Sequence, residues 1–186
     1  MRYKSKGGPQ GLDAYMKTNN IDRHLLMRYV GNRFHILFEL AGNIYYIHKQ
    51  LTDYLRIYCS KTEHYRLCIR KDLNTDIVLK ELAVCGLFGK VLTGPWMTCI
   101  YRKSDLTNLD SAKPLTYLVD KLKTLVDTPS LLWNNDLCCL DIAPDSKTEL
   151  SKTVHSALCD SPMDQTTLDL LYHIEKLNSS TPRAPS

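Results

Sequence analysis

The chain has 186 residues, of which 44% are hydrophobic and 24% are charged. This balance is typical of a globular protein, and it excludes a wholly disordered or fibrous chain. Eight glycines and eight prolines are too few for many short strands joined by turns, so the composition favours helices. The formal net charge is +4.

The elements predicted at the start of the chain are a disordered basic lead-in over residues 1–11 and a short helix over residues 12–17. Apolar residues then recur at spacings of three and four over residues 33–58, which predicts one amphipathic helix of about 26 residues. Gly42 lies inside this pattern, where a glycine lowers helix stability, and we therefore expect it to allow a close helix crossing.

The middle of the chain is the most apolar part. Residues 64–70 predict a further turn or two of helix, and residues 77–92 predict a helix that is apolar nearly all round and must lie at the centre of the domain. Residues 82–100 are long enough to consider as a membrane span, but Lys90 and the Gly94-Pro95 pair favour a buried core hairpin. Gly94 is expected to turn the chain before a helix that begins at Pro95.

The last third of the chain is less regular. Residues 114–126 carry an apolar stripe with heptad-like spacing, and residues 130–142 are a packed loop or a short helix. Two polar helices over residues 143–177 form a C-terminal hairpin, and residues 178–186 form a disordered tail. The predicted organisation is therefore a helical bundle over residues 12–142, followed by the hairpin and the tail.

Cysteine usage indicates an intracellular protein. The seven cysteines include no CxxC pair and most lie in apolar stretches, so they are expected to be buried thiols. Zinc requires three or four ligands at compatible spacing, which neither Cys59 with His64 nor the adjacent Cys138 and Cys139 supply. The sequence therefore predicts no metal and no cofactor.

No complete catalytic motif is present. The sequence has neither a GxSxG nucleophile elbow nor a GxxxxGK[ST] phosphate loop. Gly86 and Gly89-Lys90 are too closely spaced for such a loop, and they lie inside the predicted central helix. His35 and His48 are thirteen residues apart and are expected to pack rather than bind a ligand. An enzyme would instead require a cleft that holds His24, His35 or His48 beside a carboxylate.

Two stretches resemble a known family. Residues 30–38 read VGNRFHILF and residues 82–96 read LAVCGLFGKVLTGPW. The first is similar to the Arg-aromatic segment that opens a helical insertion in hAT-type transposases and in host proteins derived from them. The second is similar to a stretch that follows at a comparable interval in transposon-derived animal proteins. The resemblance covers residues 30–132.

The resemblance implies contact with DNA and a nuclear location. In that family an Arg-Trp pair assists DNA handling; Arg33 matches the arginine here, and Phe34 replaces the tryptophan. Phe34 can still stack on a base, and it is also the first residue of the core stripe. A transposase also needs carboxylates on a mixed sheet to hold two metal ions, and the 29 residues before Val30 carry no strand pattern. We therefore expect no catalytic core.

The sequence thus predicts an all-α protein, an irregular bundle of about six to eight helices around a central apolar helix. Seven of the 24 basic residues and two of the 20 acidic residues lie within the first 34 positions. This excess indicates either a solvated basic terminus or a DNA contact. The predicted function is a non-catalytic module that contacts DNA, and the candidate residues are Arg23, Arg28, Arg33 and Phe34. The alternative is a protein-interaction or self-association scaffold that uses apolar surface near Trp96, Trp133 or residues 115–126, with no membrane role.

Overall fold

The computed structural model describes residues 9–26, 34–58, 63–97, 112–134 and 149–170. Every regular element in these ranges is a helix, which confirms the all-α class. The elements in chain order are α1 (Pro9–Thr18), a 3-10 turn (Arg23–Leu25), α2 (Phe34–Tyr58), α3 (His64–Asp72), α4 (Asp76–Phe88), a π turn (Gly89–Thr93), α5 (Ala112–Asp127), a second 3-10 turn (Pro129–Trp133) and α6 (Glu149–Cys159). Residues 94–97 and 165–170 are also helical.

Several predicted boundaries can be compared with this description. Helix α1 begins at Pro9, three residues before the expected start, because proline suits the first turn of a helix. The predicted disordered tail over residues 178–186 lies wholly outside the described residues.

Helix α4 is the central element of the bundle, as the apolar pattern predicts. Ala83, Val84 and Leu87 on α4 are almost completely buried, and Val91 in the π turn that continues α4 is fully buried. Helix α4 packs most extensively on α2, and it also contacts α6. A helix with so little polar surface needs neighbours on most sides, and these contacts supply them.

Helix α2 spans 25 residues, close to the predicted length, but it is not straight. The backbone leaves helical values at Ile47, where φ is −104° and ψ is 15°. Ile47 itself is buried in the main core cluster, whereas Tyr54 and Leu55 belong to a smaller cluster with Leu73. The two halves of α2 therefore pack against different parts of the bundle.

The crossing of α2 and α4 is formed by two glycines. A Cβ atom built on Gly86 would lie 2.5 Å from Cα of Gly42, which is closer than Cβ atoms approach other non-bonded atoms. The same atom would lie 3.0 Å from Cδ2 of Leu158 on α6. The prediction of a close crossing at Gly42 is confirmed, and three helices meet at this point.

The C-terminal segment is joined to the bundle by apolar and polar contacts. Val154 and Leu158 on α6 belong to the same core cluster as α4. The Lys80 ammonium bridges the carboxylates of Asp76 and Asp164, 2.5 Å from each. Asp164 also accepts the backbone N–H of Thr167 at 3.0 Å, and these contacts lower its pKa to about 2, with Lys80 the main cause. The described part of residues 143–177 thus shares the main core.

Candidate functional site

The π turn after α4 determines where the next side chains lie. The Gly94 N–H donates to the Gly89 carbonyl, five residues earlier, which is the pattern of a widened turn. A Cβ on Gly94 would lie 2.8 Å from that carbonyl oxygen, so only glycine fits here. The prediction that Gly94 turns the chain is wrong, because the helix continues after the wide turn and includes the buried Pro95.

An apolar pocket opens beside this turn. Its volume is about 240 Å³, and it lies between the first turns of α2, the end of α4 and one face of α5. A pocket of this size is smaller than most drug-sized ligand sites and suits a single bulky apolar group. Its lining residues are Phe38, Cys85, Phe88, Leu92, Thr93, Trp96, Leu118 and Leu122.

The pocket is electrically neutral at the positions that the structure describes. None of its described lining residues is charged. Burial raises the pKa of the Cys85 thiol, and nearby Glu81 adds to the effect, so the thiol stays protonated near neutral pH. The Thr93 hydroxyl is buried and has no hydrogen-bond partner. The pocket can therefore bind apolar groups, and none of its described lining residues is an activated nucleophile.

Helix α5 forms one wall of the pocket and also presents apolar side chains to solvent. Leu125 faces the core and is 7% exposed. On the outer side, Val119 is 41%, Leu122 36% and Val126 49% exposed. We call these three residues the α5 stripe. Leu122 belongs both to the α5 stripe and to the pocket, so the two features form one apolar surface.

The structure describes only part of the predicted DNA contact. Arg23 begins the first 3-10 turn and is exposed, and the Asp22 carboxylate caps this turn by accepting the His24 N–H at 2.8 Å. Arg28 and Arg33 lie outside the described residues. Phe34 is the first residue of α2, but its side chain also lies outside the description. The four residues therefore remain a predicted site.

A buried polar cluster joins the π turn to α6. The Lys90 ammonium donates to the Ser151 hydroxyl at 2.7 Å, although Lys90 is only 9% exposed. Nε2 of His155, one turn further along α6, is buried without a hydrogen-bond partner. Burial and the nearby Lys90 charge lower the pKa of His155, in that order of importance. The imidazole is therefore neutral at physiological pH.

Two further sequence expectations concern metals and membranes. Within the described ranges, no group of three or more His, Cys, Asp or Glu side chains is arranged to hold a metal ion. No helix in the same ranges is both long enough and apolar enough to cross a membrane. The apolar stretch that begins at residue 82 instead lies in α4 and the π turn, and its last three residues are outside the description.

One pair of ligand-type side chains was missed in the sequence. His64 and Cys68 lie four residues apart on α3, and Sγ of Cys68 is 3.6 Å from Nδ1 of His64. The signal was present, because residues 64–70 were expected to be helical and positions i and i+4 share a helix face. The pair does not meet the requirement for three or four zinc ligands, and a pair of ligands is therefore not predicted there.

The comparisons with known proteins give no relative. No family model matches the chain, and neither a curated protein nor a solved structure matches it.

Proposed function

We propose that the protein is a non-catalytic binding module that associates with a second copy of itself through α5. The observation that carries the proposal is the α5 stripe, which is exposed although the adjoining side of the same helix, at Leu118 and Leu125, is already packed in the core. The neighbouring pocket extends this apolar surface. Contiguous apolar surface of this kind is typical of protein interaction sites.

The spacing of the α5 stripe supports helix pairing. Val119, Leu122 and Val126 stand at positions i, i+3 and i+7, the pattern of successive a and d positions in a coiled coil. Helix α5 has 16 residues and is therefore about 24 Å long, enough for two heptads. A second copy of α5 presents the same spacing and can pack against it.

Charges beside the stripe favour an antiparallel pair. Asp120 and Lys123 are exposed on the same side of the stripe, and their side chains lie 3.1 Å apart within one copy. A two-fold axis near Leu122 would place Val119 opposite Val126 of the second copy. Asp120 would then lie beside Lys123 of the second copy, so opposite charges meet across the seam.

The expected dimer is weak. A seam of about two heptads buries less than the roughly 1,200 Å² of a standard stable interface, even with the pocket beside it. For a small seam of this kind we expect a dissociation constant on the order of 10–100 µM. Association should therefore depend on protein concentration within an accessible range.

Sedimentation velocity from about 5 to about 500 µM, which spans the expected dissociation constant, tests the proposal. The wild-type protein should pass from monomer to dimer, and Val126→Glu should remain a monomer. Ile57→Glu is the matched control, because Ile57 is an exposed apolar residue on α2, 60% exposed, and its replacement should leave dimerisation unchanged. A wild-type monomer throughout, or equal loss in both variants, would contradict the proposal.

A double variant tests the orientation of the pair. Val119→Glu combined with Val126→Lys would bring opposite charges together across an antiparallel seam and like charges together across a parallel one. We expect this variant to dimerise more strongly at low salt than Val119→Glu combined with Val126→Glu. The resemblance to a transposase insertion remains a prediction, and the dimer does not depend on it.

A further inference from the structure

The exposed face of α3 carries an imidazole and a thiol side by side. Sγ of Cys68 lies 3.6 Å from Nδ1 and 3.9 Å from Nε2 of His64. Both residues are exposed, and the thiol is not in a disulfide. No residue of α3 is buried, so either side chain can change rotamer without disturbing the core.

This separation matches the edge of a tetrahedral zinc site. With Zn–S near 2.3 Å and Zn–N near 2.0–2.1 Å, a tetrahedral angle at the metal places sulfur and nitrogen about 3.5 Å apart. The observed distance between Sγ and Nδ1 is 3.6 Å. Rotation of the imidazole about χ2 then directs a nitrogen lone pair at an ion held by sulfur, with no movement of the helix backbone.

We propose that His64 and Cys68 form a two-ligand chelate for zinc or a similar divalent transition ion. A thiolate with an imidazole selects such ions over magnesium and calcium, which prefer oxygen ligands. On binding, the thiol releases its proton to solvent and sulfur takes the metal in its place, while water fills the other coordination positions. Two protein ligands in place of four imply a dissociation constant on the order of 1–100 µM.

The chain contains a matched pair that should not bind metal. His155 and Cys159 on α6 have the same spacing of four residues. His155 is only 5% exposed, however, and the pKa of Cys159 is raised to about 11, mainly by burial and also by Asp160. The Cys159 thiolate is therefore scarce at neutral pH, and a metal ion has no open path to the imidazole.

The test is a titration of the full-length reduced protein with Co²⁺ alone. The thiolate-to-cobalt charge-transfer absorption in the near ultraviolet measures the binding. We expect the wild type and Cys159→Ser to show the same band, which Cys68→Ser loses. His64→Gln should keep the thiol but bind Co²⁺ at least about ten-fold more weakly, because one of two ligands is gone. Added Zn²⁺ should displace the cobalt and abolish the band.

Circular dichroism provides the folding control, since both α3 side chains are exposed and their replacement should leave the spectrum unchanged. A band of full intensity in Cys68→Ser would assign the metal to other cysteines and overturn the proposal. Unchanged affinity in His64→Gln would also overturn it, because sulfur alone would then account for binding.

Discussion

Replacing Gly86 by alanine tests the helix crossing at the centre of the bundle. The added methyl group would lie 2.5 Å from Cα of Gly42 and 3.0 Å from both the Gly42 nitrogen and Cδ2 of Leu158. Carbon atoms pack best at about 3.5–4.0 Å, so α2 and α4 must separate by about 1 Å. Two of the obstructing atoms belong to backbone, and no side-chain rotation can relieve them.

The magnitude follows from two opposing effects. Overpacking that shifts backbone typically costs about 1–3 kcal/mol, and this contact is at the severe end of that range. Alanine is a better helix former than glycine by about 1 kcal/mol, which offsets part of the loss. We therefore expect Gly86→Ala to lower the free energy of unfolding by about 2 kcal/mol.

Two other helical glycines supply graded controls. A Cβ on Gly42 would lie 3.1 Å from Cα of Gly86 and 3.2 Å from Cδ1 of Leu158, so strain and helix propensity should nearly cancel. A Cβ on Gly11 would meet only the Tyr54 hydroxyl, at an ordinary 3.4 Å. Gly11→Ala should therefore stabilise the protein by about 0.5 kcal/mol, the gain expected near a helix end.

Urea unfolding followed by far-ultraviolet circular dichroism measures the series. With a slope of about 2 kcal/mol per molar urea, Gly86→Ala should lower the midpoint by about 1 M. The slope should stay constant, since the variants share one fold. Two outcomes would refute the close approach of the two backbones. One is a Gly86→Ala midpoint at or above that of the wild type, and the other is a Gly42→Ala midpoint lower than that of Gly86→Ala.

Two further predictions concern pH and DNA. The pKa of His155 in the folded protein lies below its ordinary value of 6.5, so the unfolded chain takes up a proton first as the pH falls. The free energy of unfolding should therefore decrease as the pH drops below about 6.5. Urea midpoints measured at several pH values should depend less on pH in His155→Gln, whereas the exposed His64→Gln should keep the wild-type dependence on pH. If Arg23, Arg28 and Arg33 contact phosphates, affinity for a labelled duplex should fall steeply with salt, and the triple glutamine variant should lose that dependence; no binding of the wild type at low salt would reject the DNA hypothesis.

Periodicity in the sequence was sufficient to predict the main helices. The α2 pattern and the almost entirely apolar α4 segment are both long, and each restricts which faces can meet water. Gly42 predicted a close crossing because a glycine in the middle of a helix lowers stability unless another backbone approaches it. Its partner Gly86 could not be identified, since helix crossings depend on packing between distant segments.

Other features depend on interactions that a sequence pattern does not encode. The heptad-like pattern of α5 predicts apolar positions, but it does not say that Leu125 faces the core while Val119 faces solvent. Gly94-Pro95 is typical of a turn, and yet a widened helical turn accommodates the same pair. The candidate pocket could not be predicted from a sequence pattern, because its walls come from three separate helices, α2, α4 and α5.

The π turn also acts as a spacer in the helix register. Such a turn contains one residue more than an α-helical turn, and each residue of an α-helix rotates the side chains that follow by about 100°. If the residues from Gly89 to Thr93 were wound as a regular α-helix with none removed, Trp96 would rotate by about 100° to another side of the helix. The pocket would lose an aromatic wall, although no residue that lines it had been replaced.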